Sequence, residues 1–147
     1  MVFALLVGIG TLLASLLSYG MATALIVQLV VRLLRKGYAG LAVWKNVAVM
    51  TIVSLVTALV HLVQIALWAL AILLCGETST FANAFYCSAQ NYTSLGYGDL
   101  IPPEHWRLLG PLEAINGLLL FGLSTAVMFA VMSRLIATRL RLQRGRT

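Results

Sequence analysis

The chain has 147 residues, of which 61% are hydrophobic and 10% charged, and 10 Lys and Arg against 4 Asp and Glu give a formal net charge of +6. That length is about one domain's worth of sequence, which argues against a multidomain enzyme, and a mean hydropathy of +0.99 is that of a membrane protein and excludes an ordinary soluble domain. The two cysteines, Cys75 and Cys87, make no disulfide framework, zinc set or redox motif; both fit burial as small apolar groups.

Three apolar stretches are long enough to cross a bilayer, which takes about 20 residues. Each reads as a helix, because backbone exposed to lipid must satisfy its own hydrogen bonds. The first, residues 2–31, carries no charge. As a helix it would be about 45 Å long, so it must tilt, bend near Ser18, Tyr19 and Gly20, or protrude. No basic residue precedes it and it is too long for a signal-peptide core, so a signal-anchor helix fits better than a cleaved leader. Its basic residues cluster at one end instead of recurring every third position, which is not a voltage-sensor pattern.

The second stretch, residues 47–75, holds His61 and Gln64 one helical turn apart. An ionisable residue in a span invites a role in proton sensing or metal binding. Hydrogen bonding to a neighbouring helix is the commoner reason, with Gln28 or Thr23 of the first span as candidate partners. The third stretch covers residues 114–133, with Glu113 and Asn116 at its start; Glu113 is expected to brace the structure from behind.

Arg32, Arg35, Lys36 and Lys45 lie between the first two spans, and Arg134, Arg139, Arg141, Arg144 and Arg146 follow the third. The positive-inside rule places both sets in the cytoplasm, with the N-terminus outside and the C-terminus inside a cell membrane, plasma or inner. Glu77, Asp99, Glu104 and Glu113 all fall in or beside the other connection. The +6 charge is therefore a topology signal, and no nucleic-acid partner is expected. Tyr38, Trp44 and Trp106 stand where amphipathic rings favour the membrane interface.

The outer connection, residues 76–110, is the informative one. Residues 81–92 are apolar and aromatic, too short to span and too greasy for a solvated loop, so they read as a re-entrant helix with Thr78, Ser79 or Thr80 as its N-cap. Non-helical backbone at membrane depth must be buried in protein or line a watery path. Next comes Thr93-Ser94-Leu95-Gly96-Tyr97-Gly98-Asp99. An ion that sheds its water needs a column of oxygens, and a regular strand alternates its carbonyls. Aligning them requires alternate ordinary and left-handed dihedrals, which Gly96 and Gly98 adopt at little steric cost.

Residues 84–99 resemble the pore helix and selectivity filter of the potassium channel family, whose filter is usually Thr-Val-Gly-Tyr-Gly followed by Asp. The likeness extends over roughly residues 46–139, because two spanning helices bracket the motif. It implies that the carbonyls of Ser94, Leu95, Gly96 and Tyr97, with the Ser94 hydroxyl and the closing Gly98, hold K+, the permeant ion; no cofactor is implied. It implies filter support from Thr93, Gln90 and Asp99, and a negative helix end near Tyr92 facing a cavity. Trp106 resembles the anchor that starts the inner helix. Gly117 resembles the gating hinge, and Phe121 and Gly122 a cavity-lining stretch; Asn116, at the start of the third helix, is read either as facing the cavity or as bracing the filter from behind. Leu95 replaces the usual Val or Ile and Ser94 the usual Thr, both keeping their carbonyls. Gln90 stands where some members carry a Glu that pairs with the filter Asp, and Cys87 where many place a Trp.

The resulting expectation is an all-α membrane protein: three transmembrane helices per subunit, a re-entrant pore helix, an extended selectivity filter and a homotetrameric pore. Residues 1–45 hold the first helix and a cytoplasmic connection. Residues 46–147 form the pore module, with an outer helix over 46–75, a pore helix over 81–92, a filter over 93–99 and an inner helix over 107–140. The first helix is expected to pack outside that module or against a neighbouring subunit. The short tail leaves gating to the helices, the filter, lipid, pH or a separate regulatory subunit. Three other readings compete. A weakly selective cation channel is weighed against Tyr97, which braces the carbonyl ring in selective members. A non-conducting accessory subunit would have no need of the paired glycines. The Gly-x-Gly-Asp pattern also occurs in intramembrane aspartyl proteases, but these need two carboxylates; Asp99 is the one aspartate and no buried acid is expected in the helices, so no enzyme is expected.

Overall fold

The computed structural model describes residues 2–36, 43–76, 78–98, 100 and 103–144. Among them run four helices: α1 (Val2–Arg35), α2 (Val43–Leu74), α3 (Phe81–Tyr92) and α4 (Leu109–Arg144). Three of these, α1, α2 and α4, are long and apolar enough to cross a membrane. Tyr38, Glu77, Asp99 and Arg146 lie outside the described residues.

α1 is unbroken through Ser18, Tyr19 and Gly20. α2 ends where Gly76 turns to φ 73° and its N–H donates to the Leu73 carbonyl at 3.0 Å, the left-handed stop that glycine allows. The start of α4 is prepared by a turn in which the Trp106 N–H donates to Pro103 O and the Leu109 N–H to Trp106 O, each at 2.9 Å. The helix thus starts two residues after 107, where the inner helix is expected, and five before the apolar run at 114. Pro111 is tolerated there, since the first helical turn needs no intrahelical N–H.

The chain forms two compact units, Met1–Gly20 with His61–Gly122, and Met21–Val60 with Leu123–Thr147. This division cuts across the 1–45 and 46–147 split read from the sequence, since α1, α2 and α4 each contribute to both units. The second unit has a core of Ile26, Val30, Val49, Val53, Val131 and Leu135. These residues recur four apart on each helix, so one face of each meets the others. In lipid this packing rests on close van der Waals fit and hydrogen bonds, because the tails are as apolar as the side chains.

The first unit contains α3 and everything that positions it. Ala69 and Ile72 of α2 pack on Ala84 and Cys87 of α3. The early part of α1 joins the same unit: Gly8 lies against Leu112 and Leu109, and Phe3 stacks beside Trp106 with ring centroids 5.6 Å apart. A side chain at position 8 would collide with the Leu112 methyl.

Candidate functional site

Helix α3 occupies residues 81–92, the bounds its composition predicts. Its N-cap is Thr80, in extended conformation (φ −136°, ψ 146°), whose hydroxyl accepts from the Asn83 N–H at 3.3 Å. At the other end the chain ties off α3 before turning away. The Thr93 N–H and hydroxyl both donate to Ala89 O, at 3.1 and 2.7 Å. The Ser94 N–H donates to Asn91 O and the Leu95 N–H to Gln90 O, both at 2.9 Å.

The following segment carries the expected backbone alternation. Ser94, Gly96 and Gly98 are left-handed, with φ of 58°, 55° and 75°, while Leu95 and Tyr97 between them are not. Glycine accepts this region freely, but for serine it costs about 1–2 kcal/mol. Leu95 is 57% and Tyr97 71% exposed, so their own chain leaves both uncovered. Gln90, by contrast, is buried.

The C-terminal end of α3 is held closely. A Cβ on Gly117 of α4 would fall on the Tyr92 carbonyl oxygen and lie only 2.9 Å from its carbon. The structure thus supplies a close-approach reason for glycine at 117, and α4 runs unbroken through it. From α2, His61 Nδ1 sits 2.8 Å from the Tyr92 hydroxyl. Phe121 closes the cluster, with its ring 4.6 Å from His61 and 5.5 Å from Tyr92. Gly122, the next residue, has open space where a side chain would go.

Two polar clusters flank this cradle. Ser88 of α3 lies 2.7 Å from the Ile65 carbonyl of α2 and 2.5 Å from Glu113 Oε1 of α4, while Asn91 Nδ2 donates to Glu113 Oε2 at 3.3 Å. Both Ser88 and Glu113 are fully buried. The second cluster joins α1 to its neighbours. Ser15 donates to Gln64 Oε1 at 2.6 Å, Gln64 Nε2 donates to Ser18 at 3.1 Å, and Asn116 Nδ2 donates to Ser15 at 2.7 Å.

Several expectations are thereby corrected. Gln64 binds Ser15 and Ser18 of α1, not Thr23 or Gln28, because those two lie about 12 and 20 Å further along α1 than Ser15, at 1.5 Å per residue. Asn116, for which a cavity-facing and a bracing position are both open in the sequence, is fully buried and donates to Ser15 of α1. A buried acid does exist in the helices, namely Glu113. The serines of α1 went unnoticed as site residues, although a buried polar residue in a span is itself a signal of a partner across the interface. Of the residues expected in an extended filter, Thr93 is still helical (φ −86°, ψ −2°) as the C-cap of α3, and Ser94 to Gly98 follow it; Asp99 lies outside the described residues.

Residues 58–134, more than half of the chain and including α3 with the segment after it, match a family model described as an ion channel. The chain is similar to the inward rectifier potassium channel Kirbac3.1 of Paramagnetospirillum magnetotacticum, at 35% identity over 95 residues, covering 56% of this chain and 30% of that protein. It thus spans less than a third of the length of that relative. No solved structure matches it.

Proposed function

The chain belongs to the ion channel family, and from that premise we propose that it is one subunit of a potassium-selective channel in which four copies surround a single conducting axis. The observation that carries this reading is the sign of φ at Ser94, Gly96 and Gly98, opposite to that at Leu95 and Tyr97. Dihedrals of alternating hand cancel the flip that sends successive carbonyls of a strand to opposite sides. Strands of this kind, arranged in a ring, offer stacked cages of oxygen to a dehydrated cation. In this reading the carbonyls of Ser94, Leu95, Gly96 and Tyr97, helped by the Ser94 hydroxyl, replace the water around potassium.

The remaining parts follow from the same premise. α3 serves as the pore helix and directs its negative end at the cavity, where it favours a cation. Gln90 and Thr93 support the carbonyl strand, and Phe121 and Gly122 line the cavity. The exposure of Leu95 and Tyr97 supports assembly, since a second copy would cover rings and methyls that their own chain leaves bare. A closed ring of identical subunits is the simplest way to complete cages to which each chain gives one side. The basic residues in the last turns of α1 and α4 support a C-terminus in the cytoplasm and an N-terminus outside, by the positive-inside rule. The potassium assignment draws further support from the printed name of the similar inward rectifier.

The test is reconstitution of the purified chain in liposomes under a potassium gradient, comparing potassium with sodium flux. Potassium flux well above sodium flux is expected, and a near-complete loss of that preference in Gly96→Ala, which forces a Cβ into left-handed backbone in every subunit. Equal passage of the two ions by the unsubstituted protein removes the selectivity claim. An unaffected Gly96→Ala variant removes the assignment of the filter, and a particle without four-fold symmetry removes the stoichiometry.

A further inference from the structure

The Ser88 hydroxyl has one hydrogen, yet two oxygens lie within hydrogen-bond distance of its Oγ. Ile65 O is 2.7 Å away and Glu113 Oε1 is 2.5 Å away. A backbone carbonyl has no proton to give. If the carboxyl group were ionised it would have none either, and one of the two contacts would press lone pairs together at a separation typical of a strong O–H···O bond. The other side of the same carboxyl is already an acceptor, since Asn91 Nδ2 donates to Oε2.

We infer that Glu113 carries a proton in the folded protein and acts as a neutral, hydrogen-donating bolt that positions the pore helix. With that proton these three contacts are all satisfied. The Glu113 Oε1–H donates to Ser88 Oγ, the Ser88 Oγ–H donates to the Ile65 carbonyl, and Oε2 accepts from Asn91. The order runs from α4 through α3 to α2, so one proton couples three helices. The bolt is one turn of α4 from Gly117, the contact point for the Tyr92 carbonyl. Glu113 touches no permeating ion; it acts through the placement of Ser88 and Asn91, on the helix that leads directly into Thr93 and Ser94.

The consequence for flux rests on the channel reading, whereas the protonation state does not, and the experiment separates them. Infrared difference spectra of the full chain in lipid are compared for the unsubstituted protein and Glu113→Gln. Loss of a protonated-carboxyl C=O band is expected, and Ser88→Ala is expected to shift that band upward by removing its acceptor. Loss of a carboxylate band instead, or no shift in Ser88→Ala, overturns the inference whatever the flux. In the flux arm, Glu113→Gln keeps one amide hydrogen for Ser88 and one oxygen for Asn91, so it should assemble and conduct with unchanged ion preference. Glu113→Ala takes the proton donor from Ser88 Oγ and the oxygen acceptor from Asn91 Nδ2, and should lower the assembled, conducting fraction by about tenfold or more. A glutamine variant that behaves like the alanine variant, by failing to fold or to conduct, overturns the bolt. Absence of flux in the unsubstituted protein would count against the channel reading alone, and the spectra would still decide the proton.

Discussion

Replacing Gly117 with alanine separates two reasons for a helical glycine. On propensity alone Gly→Ala in a helix is favourable by about 1 kcal/mol. At Gly117 the new Cβ would land on the Tyr92 carbonyl oxygen, with the carbonyl carbon at 2.9 Å and Tyr92 Cα at 3.3 Å. Comfortable contacts begin at about 3.5 Å, and the oxygen is the nearest of the three atoms, so α3 or α4 must retreat by roughly an ångström or more. The obstacle is backbone, which has no rotamer to escape into, and overpacking of this kind costs about 1–3 kcal/mol, here at the upper end. The net loss is then about 2 kcal/mol, or roughly thirtyfold in the folded equilibrium. Gly10 and Gly20 of α1 have no atoms within 4 Å of an added Cβ, so alanine there should be neutral or stabilising. The assay is thermal unfolding of the three variants in the same lipid, followed by tryptophan fluorescence, with potassium flux measured in parallel. A Gly117→Ala protein as stable and as conductive as the two controls would refute the close-approach argument.

Two further substitutions probe the polar contacts of the same unit. Gln64→Leu removes both bonds to α1 and strands the Ser15 hydroxyl between α1 and α4. Interhelical hydrogen bonds in bilayers are worth about 0.6–1.7 kcal/mol, so limited proteolysis should detach or cut α1 faster in this variant, and equal cutting rates would count against it. His61→Phe keeps the aromatic contact with Phe121 but leaves the Tyr92 hydroxyl without its nitrogen partner. A loss of about 1–3 kcal/mol in unfolding is expected, largely restored in the double variant with Tyr92→Phe; additive losses would show that the two side chains do not interact.

Helix α3 was readable from the chain because a dozen greasy residues are too few to span and too apolar to be solvated, and Thr80 stands ready to cap them. The glycine spacing also announced its backbone, since left-handed residues at every second position are otherwise hard to supply. Ser94 shows the limit of that logic, because a serine took the same conformation and composition alone gives no reason for it. Helix rotation was illegible. α1 is apolar nearly all round, so nothing in its period tells that Asn116 meets it through Ser15; the partners of Gln64 depend instead on how far along α1 the two helices align, since Ser15 and Gln28 are about 20 Å apart on it. Gly117 and Glu113 stood out as residues, but their contacts depend on how closely α3 and α4 approach, a distance that sequence spacing does not encode.

The bonds made by Ser15 also set a timetable for biosynthesis. Its two partners are 49 and 101 residues downstream. At translation rates of about 5–20 residues per second, the later partner leaves the ribosome roughly 5–20 s after Ser15 does. During that interval α1 must sit in the bilayer with its hydroxyls turned inward on their own carbonyls, as Ser18 still does toward Ser15 O at 2.9 Å. α1 is thus made well before it finds its final neighbours, and a nascent chain stalled before Asn116 would expose an α1 that quality-control proteases can tell from a finished one.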